Sequence, residues 1–331
     1  MGTSWYSGDE KGTTWGVLQA QVHQQIKERQ LLPQGARVLV AVSGGQDSLC
    51  LLRLLLDLQP KWQWQLAVAH CDHGWPGDQG NAAFVQELAA GWQVPWFLAM
   101  ATDLAETEAA ARTWRYQALT EIAQAQNFTH VTTGHTASDR AETLLYNLVR
   151  GSGSDGLQAM TWQRALSSAI QLVRPLLRLT RRETAEFCQD RGIIPWQDPT
   201  NGDRRFARSR IRQDVIPYLQ AHLNPQVETT LAQTAEVLQA EVAYLEAEAA
   251  QLLQQAWEKS TLGLQRSLLA QAPLALQRRA LRQFLQQQLA TQVTFEQVEK
   301  LVKLVNAPNR SQTDPFPGGA IARVEGEYLR L

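Results

Sequence analysis

The sequence predicts an α/β fold: a doubly wound parallel sheet followed by a second, mainly helical domain. Three observations lead there. Short apolar, β-branched runs alternate with amphipathic helical runs between Val38 and Val173, the pattern of successive βαβ units. The first run, Val38 to Val42, passes through Ser43-Gly44-Gly45-Gln46-Asp47-Ser48 directly into leucines at helical spacing. From about Pro217 the composition shifts to Gln, Ala, Leu and Glu with no strand pattern for a long stretch. The expected organisation is a loose tail over 1–14, a catalytic domain over 15–216 and a mainly helical domain over 217–331.

Composition sets the outer bounds. A chain of 331 residues with 44% hydrophobic content can bury the cores of about two domains. Cys50, Cys71 and Cys188 are too few and too scattered for a disulfide framework, and no CxxC pair suggests zinc or an iron–sulfur cluster. No apolar run approaches the ~18 residues of a membrane span, and the polar N-terminus has no signal-peptide pattern. A cytoplasmic protein with no membrane partner is expected. The formal net charge of −1 gives no global attraction to nucleic acid, so any RNA contact must come from local basic clusters.

In chain order, Val17 to Gln30 reads as a packing helix ended by Leu32-Pro33-Gln34-Gly35. Strands are then expected at Val38 to Val42, Leu66 to Ala69, Val94 to Ala99, His130 to Thr133 and Ile170 to Val173. Helices are expected at Asn81 to Ala90, Glu106 to Gln126 and Asp139 to Arg150, and Thr180 with Glu183 forms a capping box for a helix that Gly192 ends. Leu231, Ala235, Leu238, Val242, Leu245, Ala249 and Leu252 mark one long amphipathic helix. Pro273 opens another, Thr294 with Gln297 caps a third, and Ala320 to Val324 with Glu327 to Leu331 forms a closing hairpin.

In a doubly wound sheet, ligands sit beyond the carboxyl ends of the strands. The first such end is the glycine turn. Two adjacent glycines let the backbone turn sharply and approach a ligand, while the following helix offers unpaired N–H groups and the positive end of its dipole. Ser43, Gly44, Gly45, Gln46 and Ser48 therefore suit phosphate, and Asp47 suits Mg²⁺ carried on a polyphosphate. No Gly-Lys-Ser/Thr follows, which excludes a Walker A loop.

The second strand end, His70-Cys71-Asp72-His73-Gly74, has the residue types of a metal site, but alternation sends His70 and Asp72 to one face and Cys71 and His73 to the other. Lining a nucleotide mouth or capping a turn suits Asp72 and His73 better. At the fourth strand end, Thr136 and Asp139 stand as N-cap and N3 of a capping box, while Asp139 and Glu142 share a helical face near His135. Both a helix cap and a cation site fit. Arg112 is spaced for a pair with Glu108, and Arg112 and Arg115 could instead reach phosphate. Gly151 to Gly156 matches GxGxxG by letter but follows a helix, so it reads as a flexible loop. After the Asp198-Pro199-Thr200-Asn201 turn come Arg204, Arg205, Arg208, Arg210 and Arg212, and the helical region adds Arg278, Arg279 and Arg282. These are candidate phosphate-backbone contacts, with a solvated helix face as the plainer reading.

SGGQDS resembles the signature of the PP-loop ATP pyrophosphatases, which cleave ATP between the α and β phosphates. Taken with HCDHG, EAAARTWRY, GHTASDRAET, RGSGSDGL, RPLL and DPTNGDRRFARSRIR in that order, the chain resembles the tRNA(Ile)-lysidine synthetases over nearly its whole length after the tail. Longer members of that family carry a further C-terminal region. The resemblance implies ATP and Mg²⁺ as cofactors and L-lysine and a tRNA(Ile) with a CAU anticodon as partners, with no DNA. It implies adenylation of the wobble cytidine at C2 and displacement of AMP by lysine. It also implies that Asp47, Asp139, Glu142, His135, Arg112 and Arg115 are catalytic, and that Arg204, Arg205, Arg208, Arg212, Arg278, Arg279 and Arg282 hold tRNA. A PP-loop thiolase would be expected to need paired cysteines. An amidating synthetase would not need the arginine-bearing helical domain, and a non-catalytic RNA-binding module would release no pyrophosphate.

Overall fold

The computed structural model describes residues 15–75, 78–196, 204, 206–258, 262–289 and 292–331. The tail over 1–14, the Asp198 to Asn201 turn and Arg205 lie outside the described residues. The chain divides between Glu236 and Val237 into two compact units.

The first unit opens with α1 (Val17–Glu28), β1 (Arg37–Ala41), α2 (Gln46–Trp62), β2 (Gln65–Asp72), α3 (Asn81–Gly91), β3 (Trp96–Met100), α4 (Glu108–Ala125), β4 (His130–Thr132) and α5 (Ala137–Val149). It continues with α6 (Ser154–Leu157), β5 (Gln163–Ala165), β6 (Gln171–Val173), α7 (Arg181–Asp190), α8 (Ala207–Arg210), a π-helical turn over Ile211–Val215, and α9 (Ile216–His222). The helix α10 (Val227–Ala256) crosses the division.

The sheet has the order β3-β2-β1-β4-β6-β5. All pairs are parallel except β5–β6, an antiparallel edge that the sequence pattern did not announce. The period-two alternation in β1 explains why both faces are covered. Val38, Val40 and Val42 join the core with Val22 and Ile26 of α1 and Leu49, Leu52 and Leu55 of α2. Leu39 joins Leu119 and Ala123 of α4 on the other face. From β1 the chain winds outward to β2 and β3, then returns to lay β4 on the opposite side of β1. The carboxyl ends of β1 and β4 thus form the switch point at which a crevice opens.

The second unit has its own core around Ala249, Phe284, Leu285, Leu301 and Val324. Besides the expected helices α12 (Leu274–Gln288) and α13 (Phe295–Val305), it holds α11 (Arg266–Gln271) and a four-stranded sheet in the order β7-β8-β10-β9. The strands β9 (Arg323–Glu325) and β10 (Tyr328–Arg330) are the expected hairpin around Gly326, whose φ is +59°. Their partners β7 (Trp257–Glu258) and β8 (Gly263–Gln265) are too short to carry a readable period. Among the described residues, no helix is long and apolar enough to cross a membrane.

One ion network fixes the start of α10 within the first unit. Arg140 of α5 is 1% exposed and donates to Glu236 Oε2 at 2.5 Å. Glu236 also accepts from Arg29 and, at 2.8 Å, from Trp162 Nε1. A buried guanidinium needs a full counter-charge, because an uncompensated charge in a low-dielectric interior is costly. Glu236→Gln retains the shape and removes that charge. It is expected to lower unfolding free energy by about 2 kcal/mol, read as a lower denaturant midpoint with an unchanged far-UV spectrum.

Candidate active site

The glycine turn is shaped by its neighbours. Gly44 has φ +84°, and a Cβ there would fall 2.4 Å from Asn81 Oδ1 and 3.1 Å from Trp196 Cβ. Asn81 Nδ2 donates to Ser43 O at 3.0 Å and the Trp196 N–H to Gly44 O at 2.9 Å. His70, buried on the core face of β2, donates from Nδ1 to Val42 O at 2.8 Å. The Ser48 hydroxyl accepts from Ser43 N at 3.2 Å and donates to Gly45 O at 2.8 Å. Gly45 supplies no side-chain cap to α2 and Ser48 N–H turns back to Gly45 O at 3.1 Å, which leaves the Gln46 and Asp47 N–H groups to an external acceptor such as phosphate.

The loop after β4 comes down onto this turn. A Cβ on Gly134 would lie 2.7 Å from Asp47 O and 2.9 Å from Ser48 N. Only a glycine permits that approach. The same loop launches α5 through the expected capping box: the Thr136 N–H and hydroxyl both donate to Asp139 Oδ2 at 2.8 Å, and Asp139 N returns to Thr136 Oγ1 at 3.4 Å.

Arg181, the first residue of α7, joins the two loops. Its guanidinium donates to Asp139 Oδ1 at 2.7 Å, to Glu142 Oε1 at 2.7 Å and to Asp47 Oδ2 at 3.4 Å. Thr184 donates its hydroxyl to the other Asp47 oxygen, and Arg212 lies 3.4 Å from Glu142 Oε1. Burial pushes the Asp47 and Glu142 carboxyls up, with Asp139 adding repulsion to both, against the pull of Arg181. Burial would raise Asp139 as well, but Arg181, His135 and the Thr136 hydrogen bonds hold it below the usual carboxylate range. Arg181 is raised against its own burial by the three carboxylates. Neighbouring carboxyls are thus driven apart in acidity, an arrangement suited to acid–base chemistry.

Asp47 and Asp139 line a cavity of about 220 Å³ with Ser43, Ser48, Cys71, His73, Arg115, Tyr116 and His135, and Arg181 ties Glu142 to them. The alternation expected of β2 holds: Cys71 and His73 face the cavity while His70 is in the core, and Asp72 accepts from Gly74 N at 2.8 Å as a turn cap. Arg115 donates to His73 Nε2 at 3.1 Å, so His73 serves as a neutral acceptor, lowered by burial and then by Arg115. Burial also lowers His135, which lies 2.8 Å from Thr133 Oγ1. Arg112 lies over the Tyr116 ring at 5.2 Å and Arg164 at 4.6 Å. The Tyr116 phenol bonds to buried Arg174, and the arginines around it hold its acidity above normal despite burial.

Of the expected site residues, Ser43, Asp47, Ser48, His73, Arg115, His135 and Asp139 line the cavity, Gly44, Gly45 and Gln46 complete its glycine turn, Glu142 is joined through Arg181, Arg112 lies against Tyr116, and Asp72 serves the adjoining turn. Arg212 reaches Glu142, Arg208 pairs with Glu108 at 2.8 Å, and Arg204 pairs with Asp214 at 3.0 Å. In the second unit, Arg278 pairs with Glu299 at 2.6 Å, and Arg279 and Arg282 both pair with Glu246. Sequence reasoning missed Arg181, Tyr116, Arg164 and Arg174. The one local sign for Arg181 is its place directly after a capping Thr180.

Two family models match the chain: a PP-loop domain over residues 17–219 and a TilS substrate binding domain over residues 264–329. A tRNA(Ile)-lysidine synthase of Nostoc sp. is 57% identical, covering 96% of this chain and 97% of its own. One of Synechocystis sp. is 56% identical, covering 96% and 98%. A chloroplastic tRNA(Ile)-lysidine synthase of Zygnema circumcarinatum is 35% identical over 85% of this chain and 77% of its own. Among solved structures, the U34-tRNA thiolase NcsA of Methanococcus maripaludis, with its [4Fe-4S] cluster, superposes with a TM-score of 0.57 at 15% identity, over 67% of this chain and 78% of that one. At that identity the likeness is one of fold.

The approach of Gly134 to α2 generates a test. Gly134→Ala places a methyl against backbone that cannot rotate away, and is expected to cost about 1–3 kcal/mol. Gly153→Ala, where nothing lies within 4 Å, should stay within about 0.5 kcal/mol of the parent. Denaturant midpoints of the two variants check the contrast.

Proposed function

The chain belongs to the tRNA(Ile)-lysidine synthase family, and from that premise we propose that it joins L-lysine to C2 of the wobble cytidine of a CAU-anticodon tRNA(Ile), using ATP. The observation that carries the reading is that Asp139 opens onto the same cavity as the phosphate turn, with Glu142 tied to it through Arg181. A reaction with two successive nucleophiles needs such adjacency. In the first step, the cytidine C2 oxygen attacks the α-phosphorus and pyrophosphate leaves. In the second, the lysine ε-nitrogen attacks C2, and the C2 oxygen departs with AMP.

The turn from Ser43 to Ser48 would cradle the polyphosphate with N–H groups and hydroxyls. Asp47 suits Mg²⁺: no cluster of three potential ligands occurs among the described residues, and a polyphosphate-borne Mg²⁺ needs only one or two protein carboxylates. That ion would neutralise charge on the leaving pyrophosphate. Arg112 and Arg115 would hold phosphate at the mouth, with His135 as a neutral hydrogen-bonding wall.

Lysine has a side-chain pKa near 10.4, so only about one molecule in a few thousand is neutral at pH 7. The site must hold its charge and then accept a proton. Asp139, kept ionised, suits the first task, and Glu142, raised and 4% exposed on its side chain, suits the second. Arg204, Arg208 and Arg212, with Arg278, Arg279 and Arg282 of the second unit, would exchange their present partners for the tRNA backbone, and Arg205 belongs to the same basic run of the sequence. Sulfur transfer is disfavoured by the thiols. Burial pushes Cys71 and Cys188 up to about 11 and Cys50 higher still, the reverse of what a sulfur nucleophile requires.

Nucleoside mass analysis of tRNA(Ile) incubated with ATP and isotopically labelled lysine tests the reading: a lysine-adduct cytidine is expected, and its absence would sink it. Asp139→Asn and Glu142→Gln should each accumulate adenylated tRNA with at least a tenfold loss of lysidine, about 1.4 kcal/mol or more. Equal loss of both species would reduce the pair to a structural role.

A further inference from the structure

We propose that Arg181 is a built-in surrogate for the incoming amino group: in the free enzyme its guanidinium fills the cation subsite between Asp139 and Glu142, and lysine must displace it to bind. The inference rests on the lysine-site reading above.

The geometry of Asp139 makes the subsite singular. Its Oδ2 is committed to α5, taking the Thr136 N–H and hydroxyl, both at 2.8 Å. The other oxygen, Oδ1, faces the site, and Arg181 holds it at 2.7 Å. Glu142 likewise gives Oε1 to Arg181 at 2.7 Å. An ammonium bound by this pair would seek the same two oxygens that the guanidinium now bridges.

Only the side chain of Arg181 is free to yield. Its N–H donates to Ser138 Oγ at 3.0 Å, and its carbonyl accepts from Gln46 Nε2 at 2.8 Å. The backbone is thereby fastened to α5 and α2. The side chain retains 25% exposure, an opening toward solvent, and its bond to Asp47 is the longest of the three.

The arrangement also has a physical reason to exist. Three partly buried carboxylates without a counter-ion would repel one another and take up protons. A resident cation keeps the pair ionised until the substrate amine replaces it. The cost falls on apparent affinity, since a ligand that binds only the vacated state sees its dissociation constant raised by the fraction of time the subsite is filled.

The test is lysine half-saturation of transfer onto tRNA, at saturating ATP and mildly alkaline pH, for Arg181→Gln and Arg181→Lys. The surrogate role predicts that Arg181→Gln lowers lysine half-saturation by roughly threefold or more, whatever happens to the limiting rate. Arg181→Lys, which restores a resident cation, stays near the parent. A clamp that merely organises the site predicts unchanged or higher half-saturation in Arg181→Gln, and that result would overturn the proposal. Should Arg181→Gln fail to fold, Arg181→Met, which keeps an unbranched side chain without its charge, is read in the same assay: a lowered lysine half-saturation supports the surrogate, and an unchanged or higher one removes it. If the parent makes no lysine adduct at all, the functional reading fails first.

Discussion

Three helices begin around one guanidinium, and the geometry of the crevice depends on that meeting. The first turns of α2, α5 and α7 contribute Asp47, Asp139 and Arg181. Helix N-termini favour negative charge, so Asp47 and Asp139 stand where the backbone already welcomes them. Arg181 does not: a cation at the first position of a helix opposes its dipole. The opposition is offset by the carboxylates it bridges, while the Arg181 backbone, bonded to Ser138 of α5 and Gln46 of α2, keeps the three helix starts together. Gly134 completes the constraint by letting one of those connections lie directly on another's backbone.

The same view resolves a rivalry that the sequence presented as a choice. Asp139 could be read either as a helix cap or as a site carboxylate. The two roles use different oxygens, Oδ2 for Thr136 and Oδ1 for Arg181. Capping therefore aims the second oxygen by immobilising the first. His70 and His73 show a similar division along β2: one holds the strand end from the core side, and the other faces the cavity three residues later.

What could be read from the chain was what local patterns encode. Alternation and helical spacing located the strands and helices that build the parallel sheet, and the capping pairs Thr136–Asp139, Thr180–Glu183 and Thr294–Gln297 formed as their spacing suggested. The strands missed were two or three residues long, as in β5, β7 and β8, where pairing partners and not the segment's own pattern decide the conformation. The side chains missed share a second cause. Arg181 lies 134 residues from Asp47 in sequence, and Arg174 is buried against Tyr116, 58 positions earlier. The capping Thr180 places Arg181 at a helix start but names no partner for it, because the contact exists only once the sheet has formed. A chain of near-zero net charge also conceals how unevenly its arginines are shared out among buried pairs, aromatic faces and the crevice.

The buried thiols carry a practical consequence. Cys50 and Cys188 are shut inside the core and Cys71 is half-buried, all with thiolates made scarce at neutral pH. Maleimides and similar reagents attack the thiolate, so the natural chain presents a nearly silent background to them. A single cysteine introduced on the outward side of α9 or α12 would then take a dye or spin label cleanly, turning an enzyme with no reactive handle of its own into one whose arginine-bearing surfaces can be mapped one position at a time.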